Sequence, residues 1–519
     1  MLVDAEQILT TLIQSVERSV VYTSLPSSLS QFRHEAVAGS VAGWRWDSAA
    51  TSLIRTDRGT CSESENDVQT LHSGQHGRRT IHGARNEPKL AAYTEYAMTL
   101  ATALVILTAL YAYTLVVVST RYRTFDESGP DEPYFVLLVP ALNEERVIGE
   151  TIASLLTLRG RFLLLVINDA SDDGTSAAVA PFLADTRVRF LEIPPEQARR
   201  GKGHVLNAGY AAVRRWGLAE PSPENVIMVV FDADTNVEPH FLRAVAPYFR
   251  DPTVAGVQSA VRMYNADQKV LTLWQHLEFA VWGKVFCKAK DRLGSMTLGG
   301  NGQCVRFSAL SSLGDEPWQT SSLTEDLDLS LRLLSNGWRL RFCSSVAVWQ
   351  EAVPRLGALV RQRSRWLQGH VVCWRHLPAL LRSRLPVCAR LELLLFLLLP
   401  MVFLPIGLTS IANWLHVLFS LFVGDWNYWN YDGDWDYWNT VSLLTWYVLG
   451  FGMAPLVVVA WQQIDRPPFW RLLLHSHFFL LYSFVWFAAS ARVYLQVLLG
   501  RHAWFKTSRR EREVRVQEG

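Results

Sequence analysis

Short apolar runs alternate with amphipathic segments along the middle of the chain. The runs predict four buried strands, at Phe135–Val139, Leu163–Ile167, Val188–Leu191 and Val226–Phe231. The segments between them have helical spacing and predict helices at Glu144–Leu158, Gly174–Leu183 and Val205–Trp216. Strands that alternate with helices in this way are typical of an α/β fold with a mostly parallel sheet.

Longer apolar stretches flank this region. One covers 93–119, and three follow at 391–423, 441–462 and 471–498. Each is long enough to cross a bilayer, so we expect helical transmembrane segments at 93–119 and within 391–499. Arg121 and Arg123 directly follow the first stretch and favour a cytosolic location for the α/β region. The expectation is a multi-pass protein of a bacterial plasma membrane.

The remaining segments are polar or amphipathic. Residues 1–90 are rich in Ser, Arg, His and Gly and predict a disordered leader. Residues 355–390 place arginines and two tryptophans among apolar positions, which is typical of helices on a membrane surface. Residues 500–519 form a basic tail. The basic residues of that tail favour the cytosol. One crossing before the cytosolic α/β region and three after it would place the tail on the other side of the membrane, so the number of crossings stays open.

Composition agrees with a membrane protein of more than one unit. The chain has 519 residues, 49% of them hydrophobic, and 20 tryptophans. The length exceeds one ordinary soluble core, and tryptophan is enriched at membrane interfaces. The net charge of only +2 does not indicate nucleic-acid binding. The six cysteines lack metal-site spacing, and we expect them to be reduced and structural.

Two carboxylates follow the fourth predicted strand. Asp232 and Asp234 lie at the carboxyl end of Val226–Phe231, the end at which open α/β sheets bind ligands. Carboxylates this close can hold Mg²⁺ or Mn²⁺ together with phosphate oxygens. An Asp-rich turn with no ligand explains the same residues equally well.

Three further loops carry polar residues at equivalent positions. Glu144 follows the first strand, beside Asn143, which is suited to cap the next helix. Asp169 follows the second strand, where a base or ribose is bound in such folds, and Lys202 precedes a helix whose N-terminus suits a diphosphate. Taken singly, each loop fits a helix cap or a turn better than a binding site.

The segment Thr324-Glu325-Asp326 begins a strongly amphipathic helix that ends at Asn336-Gly337. The positive end of the helix dipole favours the ionised form of Asp326. An ionised carboxylate can act as a general base on a hydroxyl group. Helix capping alone also explains this segment.

Gln362, Arg365 and Trp366 share one face of a predicted helix. A guanidinium suits a diphosphate, and an indole suits the apolar face of a sugar ring. A basic helix on a membrane surface explains the same residues equally well.

In chain order the motifs are Pro-Ala-Leu-Asn-Glu, Asn-Asp-Ala-Ser-Asp-Asp-Gly, Asp-Ala-Asp, Thr-Glu-Asp and Gln-x-x-Arg-Trp. This order, over residues 135–370, resembles the membrane-integrated family-2 glycosyltransferases, which include cellulose, hyaluronan, chitin and poly-N-acetylglucosamine synthases. Five motifs in the same order are far more specific than any one of them.

The resemblance implies a GT-A type catalytic domain at 130–354, fused to helical transmembrane segments. It implies inverting transfer from a nucleotide sugar, with UDP as the expected nucleotide and a glycan or glycolipid as acceptor. The implied donor-binding residues are Glu144, Asp169, Lys202, Asp232, Gln362 and Arg365. The implied acceptor residues are Gly300, Asn301, Glu325 and Trp366, with Asp326 as the base. Asp232 and Asp234 would hold Mg²⁺ or Mn²⁺.

These residues lead to a main expectation and two alternatives. The main expectation is a synthase that extends a β-linked polysaccharide at the cytosolic face of the bilayer and translocates it. The first alternative is transfer of one sugar to a lipid or lipid-linked acceptor. Gly299–Gly302 differs from the Cys-Gly and Ser-Gly forms of cellulose and hyaluronan synthases, which leaves the acceptor open. An inactive sugar-nucleotide sensor is disfavoured, because every catalytic motif is present.

Overall fold

The computed structural model describes residues 87–124, 133–218, 222–320, 322–423 and 454–498. The predicted leader up to residue 86, the segment 424–453 and the basic tail lie outside these residues. The chain divides into two units, Met1–Lys89 and Leu90–Gly519, and the description below concerns the second unit.

One sheet forms the centre of the α/β region. Its strands are β1 Tyr134–Ala141, β2 Phe162–Asn168, β3 Val188–Glu192, β4 Val226–Val230, β5 Asn236–Val237, β6 Val254–Met263, β7 Gln303–Arg306 and β8 Arg339–Gln350. Their order across the sheet is β3-β2-β1-β4-β7-β6-β8-β5.

The sheet is mostly parallel, as the sequence predicted, but it is mixed, because β5 and β7 run opposite to the other six strands. Strands β3, β2, β1 and β4 are parallel neighbours, as the alternating pattern predicted. Beyond β4, however, β7 runs antiparallel to both β4 and β6, and β5 runs antiparallel to β8. Strands β5 to β8 are short or partly polar, so they lack the apolar runs that identified β1 to β4. The domain is an α/β domain with a mixed sheet.

Helices surround the sheet and continue beyond it. They are α1 Glu87–Ser119, α2 Ile148–Leu156, α3 Thr175–Val179, α4 Lys202–Arg215, α5 Phe241–Val245, α6 Val270–Val281, α7 Lys288–Leu293, α8 Phe307–Ser311, α9 Glu325–Ser335, α10 Leu356–Cys373, α11 Leu377–Arg382, α12 Val387–Val423, α13 Ala454–Gln462 and α14 Phe469–Leu498. A π-helical turn, Trp282–Cys287, joins α6 to α7.

Alternate residues of the central strands face two separate cores. In β1, Val136 and Leu138 pack into the core that contains Leu206 of α4. Their neighbour Leu137 points to the opposite core, with Ile152 of α2. Because both faces are covered, the strand is apolar at successive positions, which is the pattern that made it recognisable in the sequence.

The first predicted helix begins later than expected. Helix α2 starts at Ile148, and its N-cap position is Val147. Asn143 therefore does not cap it. Asn143 has a positive φ of 54°, and its side-chain oxygen accepts a hydrogen bond from the Asp172 backbone N–H at 3.0 Å. The residue joins the loops after β1 and β2, a role that its position in the sequence did not reveal.

Helix α10, which carries the Gln-x-x-Arg-Trp motif, is partly enclosed. Leu359, Ser364 and Leu367 are buried, and the Ser364 hydroxyl donates to the Ala489 carbonyl of α14 at 3.3 Å. The helix therefore lies against α14 along part of its length, in addition to any contact with a membrane surface.

Two described helical segments are long and apolar enough to cross a bilayer, Val387–Pro405 in α12 and Phe469–Gln496 in α14. Phe469–Gln496 falls within the predicted range 391–499, whereas Val387–Pro405 begins four residues before it. Helix α12 continues through Pro400 and Pro405. Helix α1 covers the predicted first span, although its described apolar part is shorter, Ile106–Ser119. Multiple crossings remain a prediction.

A buried ion pair joins the catalytic region to α12. Lys290 of α7 and Glu392 of α12 have side chains 0% and 3% exposed, with the ammonium 2.8 Å from one carboxylate oxygen. The Tyr111 hydroxyl of α1 donates to the same carboxylate at 2.8 Å. Three elements distant in sequence therefore meet at Glu392.

We expect Glu392→Ala to destabilise the protein strongly, because it leaves the buried Lys290 ammonium without its counter-charge. Breaking a buried pair typically costs about 3–5 kcal/mol. The apparent melting temperature in detergent should fall, and Lys290→Met with Glu392→Leu should recover much of it. Glu316→Ala, at an exposed position, is the matched control. Equal melting temperatures for Glu392→Ala and Glu316→Ala would contradict this expectation.

Candidate active site

Every candidate residue from the sequence lines one cavity of about 1160 Å³. The set comprises Glu144, Asp169, Lys202, Asp232, Asp234, Gly300, Asn301, Glu325, Asp326, Gln362, Arg365 and Trp366. The cavity begins at the carboxyl ends of β1, β2 and β4, where an open α/β sheet binds ligands. The fold thus brings together residues spread over more than two hundred positions of sequence.

Lys202 lies at the centre of the polar end. It is the first residue of α4, and Gly201 before it has a φ of 104°, a conformation that favours glycine. The Lys202 ammonium is 2.6 Å from Asp232 Oδ1 and 3.7 Å from Glu325 Oε1. Burial opposes its charged form, but the carboxylates of Asp232, Glu325 and Asp326 outweigh burial and raise the pKa of Lys202. The site therefore holds a permanent positive charge among carboxylates.

Asn301 holds the loop that carries the paired carboxylates. Its side-chain oxygen accepts from the Asp232 backbone N–H at 3.2 Å and from the Thr235 hydroxyl at 2.9 Å. Asp234 is held separately, since its Oδ2 accepts from the Glu351 backbone N–H at 3.3 Å. The sequence had indicated an acceptor role for Asn301, and in the structure its side-chain hydrogen bonds support this loop.

Asp232 and Asp234 fit a divalent cation that is shared with a substrate. Among the described residues, no group of three or more His, Cys, Asp or Glu side chains is placed to hold a metal ion. Mg²⁺ commonly binds to one or two carboxylates and completes its coordination with phosphate oxygens and water. The hard oxygen donors of this pair suit that kind of site.

The glycine loop before β7 approaches the carboxylates closely. Gly300 has a φ of 80°, and a Cβ there would lie 3.1 Å from Asp326 Oδ2. Gln258 of β6 supports the loop, because its side chain accepts from the Gly299 N–H at 2.8 Å and donates to the Asn301 carbonyl at 2.7 Å. A side chain at position 300 would occupy space next to Asp326.

Asp326 differs from the sequence-based expectation. Burial, with the nearby charge of Glu325, raises its pKa to about 7. The Leu327 backbone N–H donates to Asp326 Oδ1 at 2.8 Å and favours the ionised form, as the helix terminus predicted, but this effect is outweighed. The group is therefore poised to exchange a proton near neutral pH.

Asp169 forms the other end of the polar region. It is 4% exposed, and its Oδ1 accepts from the Arg199 backbone N–H at 2.8 Å. Burial raises its pKa, and the hydrogen bond from Arg199 partly offsets this rise. Glu144 is also buried, and its backbone N–H donates to the Thr175 hydroxyl at 2.8 Å.

The cavity continues from this polar end to an apolar end. Gln362, Arg365 and Trp366 of α10 line the wall between the two. Beyond them the lining includes apolar side chains of the two helices long enough to cross a bilayer, Phe396, Leu399 and Phe403 of α12 and Phe484 and Phe487 of α14. Polar side chains also line this part of the cavity, among them Tyr111 of α1 and Ser483 of α14.

Sequence reasoning missed several supporting residues. Gln258, Glu278 and Arg199 line the cavity, but none belongs to a predicted motif. The sequence indicated Gln258 only weakly, as the polar residue that directly follows the apolar run 254–257. The other two became recognisable only from their contacts in the folded chain.

Comparison with known proteins agrees with this geometry. Residues 132–369 match the family model described as glycosyltransferase like family 2. Beta-monoglucosyldiacylglycerol synthase of Trichormus variabilis is 32% identical over 269 residues, or 50% of this chain and 54% of the relative. The enzyme of the same name from Synechocystis sp. is 33% identical over 250 residues, or 47% and 50%.

A solved structure is also similar. It is the mannosyltransferase PcManGT from Pyrobaculum calidifontis in complex with GDP-Man and Mn²⁺, with 17% identity and a TM-score of 0.47. The match covers 71% of this chain and all of that chain, 100%.

The fold is an α/β domain with a mixed sheet and a ligand cavity at the carboxyl ends of its parallel strands. More particularly, residues 132–369 are similar to the family-2 glycosyltransferases that the matching family model describes. The chain spans about half the length of the curated relatives that it matches, 54% and 50%.

The raised pKa of Asp326 predicts a pH-dependent stability. Its folded value is about 7 against an ordinary 3.8. Between these values the folded protein retains a proton that the unfolded chain releases, so stability falls as the pH rises through this window. We expect Asp326→Asn to remove this loss. The melting temperature of Asp326→Asn minus that of wild type should be lowest near pH 5. This difference should be at least about 2 °C larger at pH 8. A difference independent of pH would contradict the raised pKa.

Proposed function

We propose that this protein transfers a hexose from a nucleotide sugar to the hydroxyl group of a lipid acceptor at the membrane. The observation that carries the proposal is the continuous cavity, which joins the carboxylates and Lys202 to apolar side chains of α12 and α14. A lipid has a polar hydroxyl end and apolar chains, and the two ends of the cavity have matching chemistry.

The comparisons favour this acceptor over a growing polysaccharide. The relatives at 32% and 33% identity are named for making β-monoglucosyldiacylglycerol, a lipid that carries one sugar. The phenylalanine and leucine side chains of α12 and α14 in the cavity lining provide apolar partners for an acyl chain. The lipid alternative from the sequence therefore replaces the polymer expectation.

The chain's own residues support an inverting single displacement. Asp326 would remove the proton of the acceptor hydroxyl, and the resulting oxygen would attack the anomeric carbon opposite the leaving nucleoside diphosphate. A base with a pKa near 7 is well matched to this task at neutral pH. No second carboxylate is needed as a covalent nucleophile.

On the leaving-group side, Lys202 would offset the negative charge of the diphosphate at the N-terminus of α4. Asp232 and Asp234 would hold Mg²⁺ or Mn²⁺, which when bound supplies Lewis-acid stabilisation of that diphosphate. Asp169 and Glu144 would bind the nucleoside, with UDP as the expected nucleotide.

The wall between the two ends would orient both substrates. Arg365 would contact the diphosphate, and Trp366 would pack on the apolar face of the sugar. Gln362 would donate to an oxygen of the donor. Gly300 and Glu325 lie beside Asp326 and Lys202 and would border the acceptor hydroxyl.

Asp326→Asn should abolish transfer and leave donor binding largely intact, because the amide cannot accept the proton of the acceptor. Loss of a general base typically costs about 10²–10⁴ in rate. The measurement is nucleotide release from donor in membranes, with nucleotide affinity determined in parallel. Asp315→Asn changes an exposed carboxylate, 87% exposed, and serves as the control. Turnover of Asp326→Asn within a few-fold of the control would exclude the base role.

Activity should require Mg²⁺ or Mn²⁺, and Asp234→Ala should lower metal-dependent nucleotide binding. The reason is that Asp232 and Asp234 bring negative charge close to the expected position of the diphosphate, so a cation between them reduces the repulsion. Calorimetry of UDP binding with each metal and with excess chelator provides the test, with Asp315→Ala as the matched variant. Equal UDP affinity and full turnover in chelator would rule out the metal site.

The decisive experiment identifies the product. Purified protein in vesicles that contain diacylglycerol is supplied with labelled nucleotide sugars in turn, and the product is extracted and sized. We expect label in the organic phase as a one-sugar lipid. Leu399→Trp, which fills the apolar end, should abolish this product, whereas Leu398→Trp, at an exposed neighbouring position, should retain it. Label in a water-soluble or insoluble polymer would overturn the lipid acceptor.

A further inference from the structure

Arg363 lies inside the Gln-x-x-Arg-Trp motif, but its role differs from that of the residues around it. Gln362, Arg365 and Trp366 line the cavity, whereas Arg363 is not among the described residues that do so. Its side chain is 1% exposed. An arginine buried this completely is normally paired, because an isolated charge in the protein interior is very costly.

Its partner is Glu278 of α6. Arg363 Nη2 donates to Glu278 Oε2 at 2.5 Å and to the Tyr482 hydroxyl of α14 at 3.2 Å. Glu278 in turn accepts from the Tyr482 hydroxyl at 2.7 Å and from the Trp486 indole N–H at 2.9 Å. The ion pair is therefore fixed by two side chains of α14, a membrane-candidate helix.

The other side of the same guanidinium contacts two residues of the cavity wall. Arg363 Nη1 donates to Gln362 Oε1 at 2.7 Å, which orients the Gln362 amide and leaves its NH₂ group to serve a ligand. The Arg363 guanidinium carbon also lies 4.0 Å from the ring centroid of Trp366, a close cation–π contact. Phe279 packs edge-on against Trp366, with 6.2 Å between the two ring centroids.

We infer that the Arg363–Glu278 pair is a positioning device for the transfer reaction. It holds Gln362 and Trp366 in their reactive orientation from behind the cavity wall and ties that orientation to α14. The inference rests on the proposed transferase activity, but it is independent of which acceptor is used. Arg363 is not itself a cavity-lining residue, although the side chains that it contacts are, so it acts through Gln362 and Trp366.

Lysine and arginine should not be equivalent at this position. Lysine preserves the buried charge opposite Glu278, but it lacks the planar group that donates to Glu278 and Gln362 at once while stacking on Trp366. A residue needed only to neutralise Glu278 would tolerate lysine. A positioning residue would not.

The experiment measures kcat and KM for donor, by nucleotide release in membranes, in Arg363→Lys and Arg363→Met. We expect kcat to fall by about 10–100-fold in both variants, because small displacements of substrate-positioning groups have effects of that size. The melting temperature of Arg363→Lys should remain near that of wild type. Arg361→Met, an exposed position on the same helix, is the matched control and should keep wild-type kcat.

A double-mutant cycle shows whether Arg363 acts through the cavity wall. In a Trp366→Leu background, Arg363→Lys should lower kcat by less than about 3-fold, because the group that it positions is already absent. The same cycle with Gln362→Leu tests the second contact. If Arg363→Met does not fold, the cycle with Arg363→Lys still provides the result.

Two outcomes would overturn the inference. One is wild-type kcat in Arg363→Lys, which would make the arginine a charge partner of Glu278 only. The other is a loss that is equally large with and without Trp366 and Gln362. These outcomes can be distinguished from failure of the proposed function. If the protein is not a transferase, wild-type protein will release no nucleotide from any donor.

Discussion

Lys202 lies within reach of three carboxylates, and the polar half of the site depends on this arrangement. Asp232 arrives from the end of β4, whereas Glu325 and Asp326 arrive from the start of α9. The ammonium, 2.6 Å from Asp232 and 3.7 Å from Glu325, reduces the repulsion that would otherwise separate these elements. A donor diphosphate and its cation would enter a site in which the lysine already offsets part of the carboxylate charge.

The same arrangement accounts for the unusual proton affinity of Asp326. A carboxylate at a helix N-terminus is ordinarily stabilised in its ionised form. Here burial and the adjacent Glu325 dominate and raise its pKa to about 7. The glycine at position 300 is part of this environment, because any side chain there would occupy the space beside Asp326. The proton affinity of Asp326 is thus set by the packing around it as much as by the carboxylate itself.

The wall of the cavity links this chemistry to the apolar helices. Helix α10 carries Gln362, Arg365 and Trp366 on the cavity side, and Arg363 joins it to α6 and α14 through Glu278 and Tyr482. At a second point, Lys290 and Glu392 join α7 to α12. The catalytic domain and the helices that follow it are therefore connected through buried charges, which are stable only while both partners stay in place. This coupling suits an enzyme whose cavity is shared between a polar domain and apolar helices.

The sequence by itself determined the parallel half of the sheet and the residues of the site. Strands β1, β2 and β4 are buried on both faces, so continuous apolar runs revealed them, and Asp169 and Asp232 follow β2 and β4 directly. Strand β3 is partly exposed, and Lys202 follows it only after a loop, at the start of α4. The short or partly polar strands β5 to β8 lack such runs, and the mixed character of the sheet appeared only in the structure. Local pattern also led to the wrong role for Asn143, which bonds to a loop about thirty residues away rather than to its own helix.

Only the tertiary structure decided the properties that depend on neighbours distant in sequence. The pKa of Asp326 reflects burial that no local pattern records. The pairing of Arg363 with Glu278 joins residues 85 positions apart. The continuity of the cavity from Lys202 to Phe487 requires the relative placement of domain and helices. Hydrophobic periodicity and motif order are properties of short segments and can be read along the chain. Desolvation, ion pairing and cavity shape arise only when segments pack together.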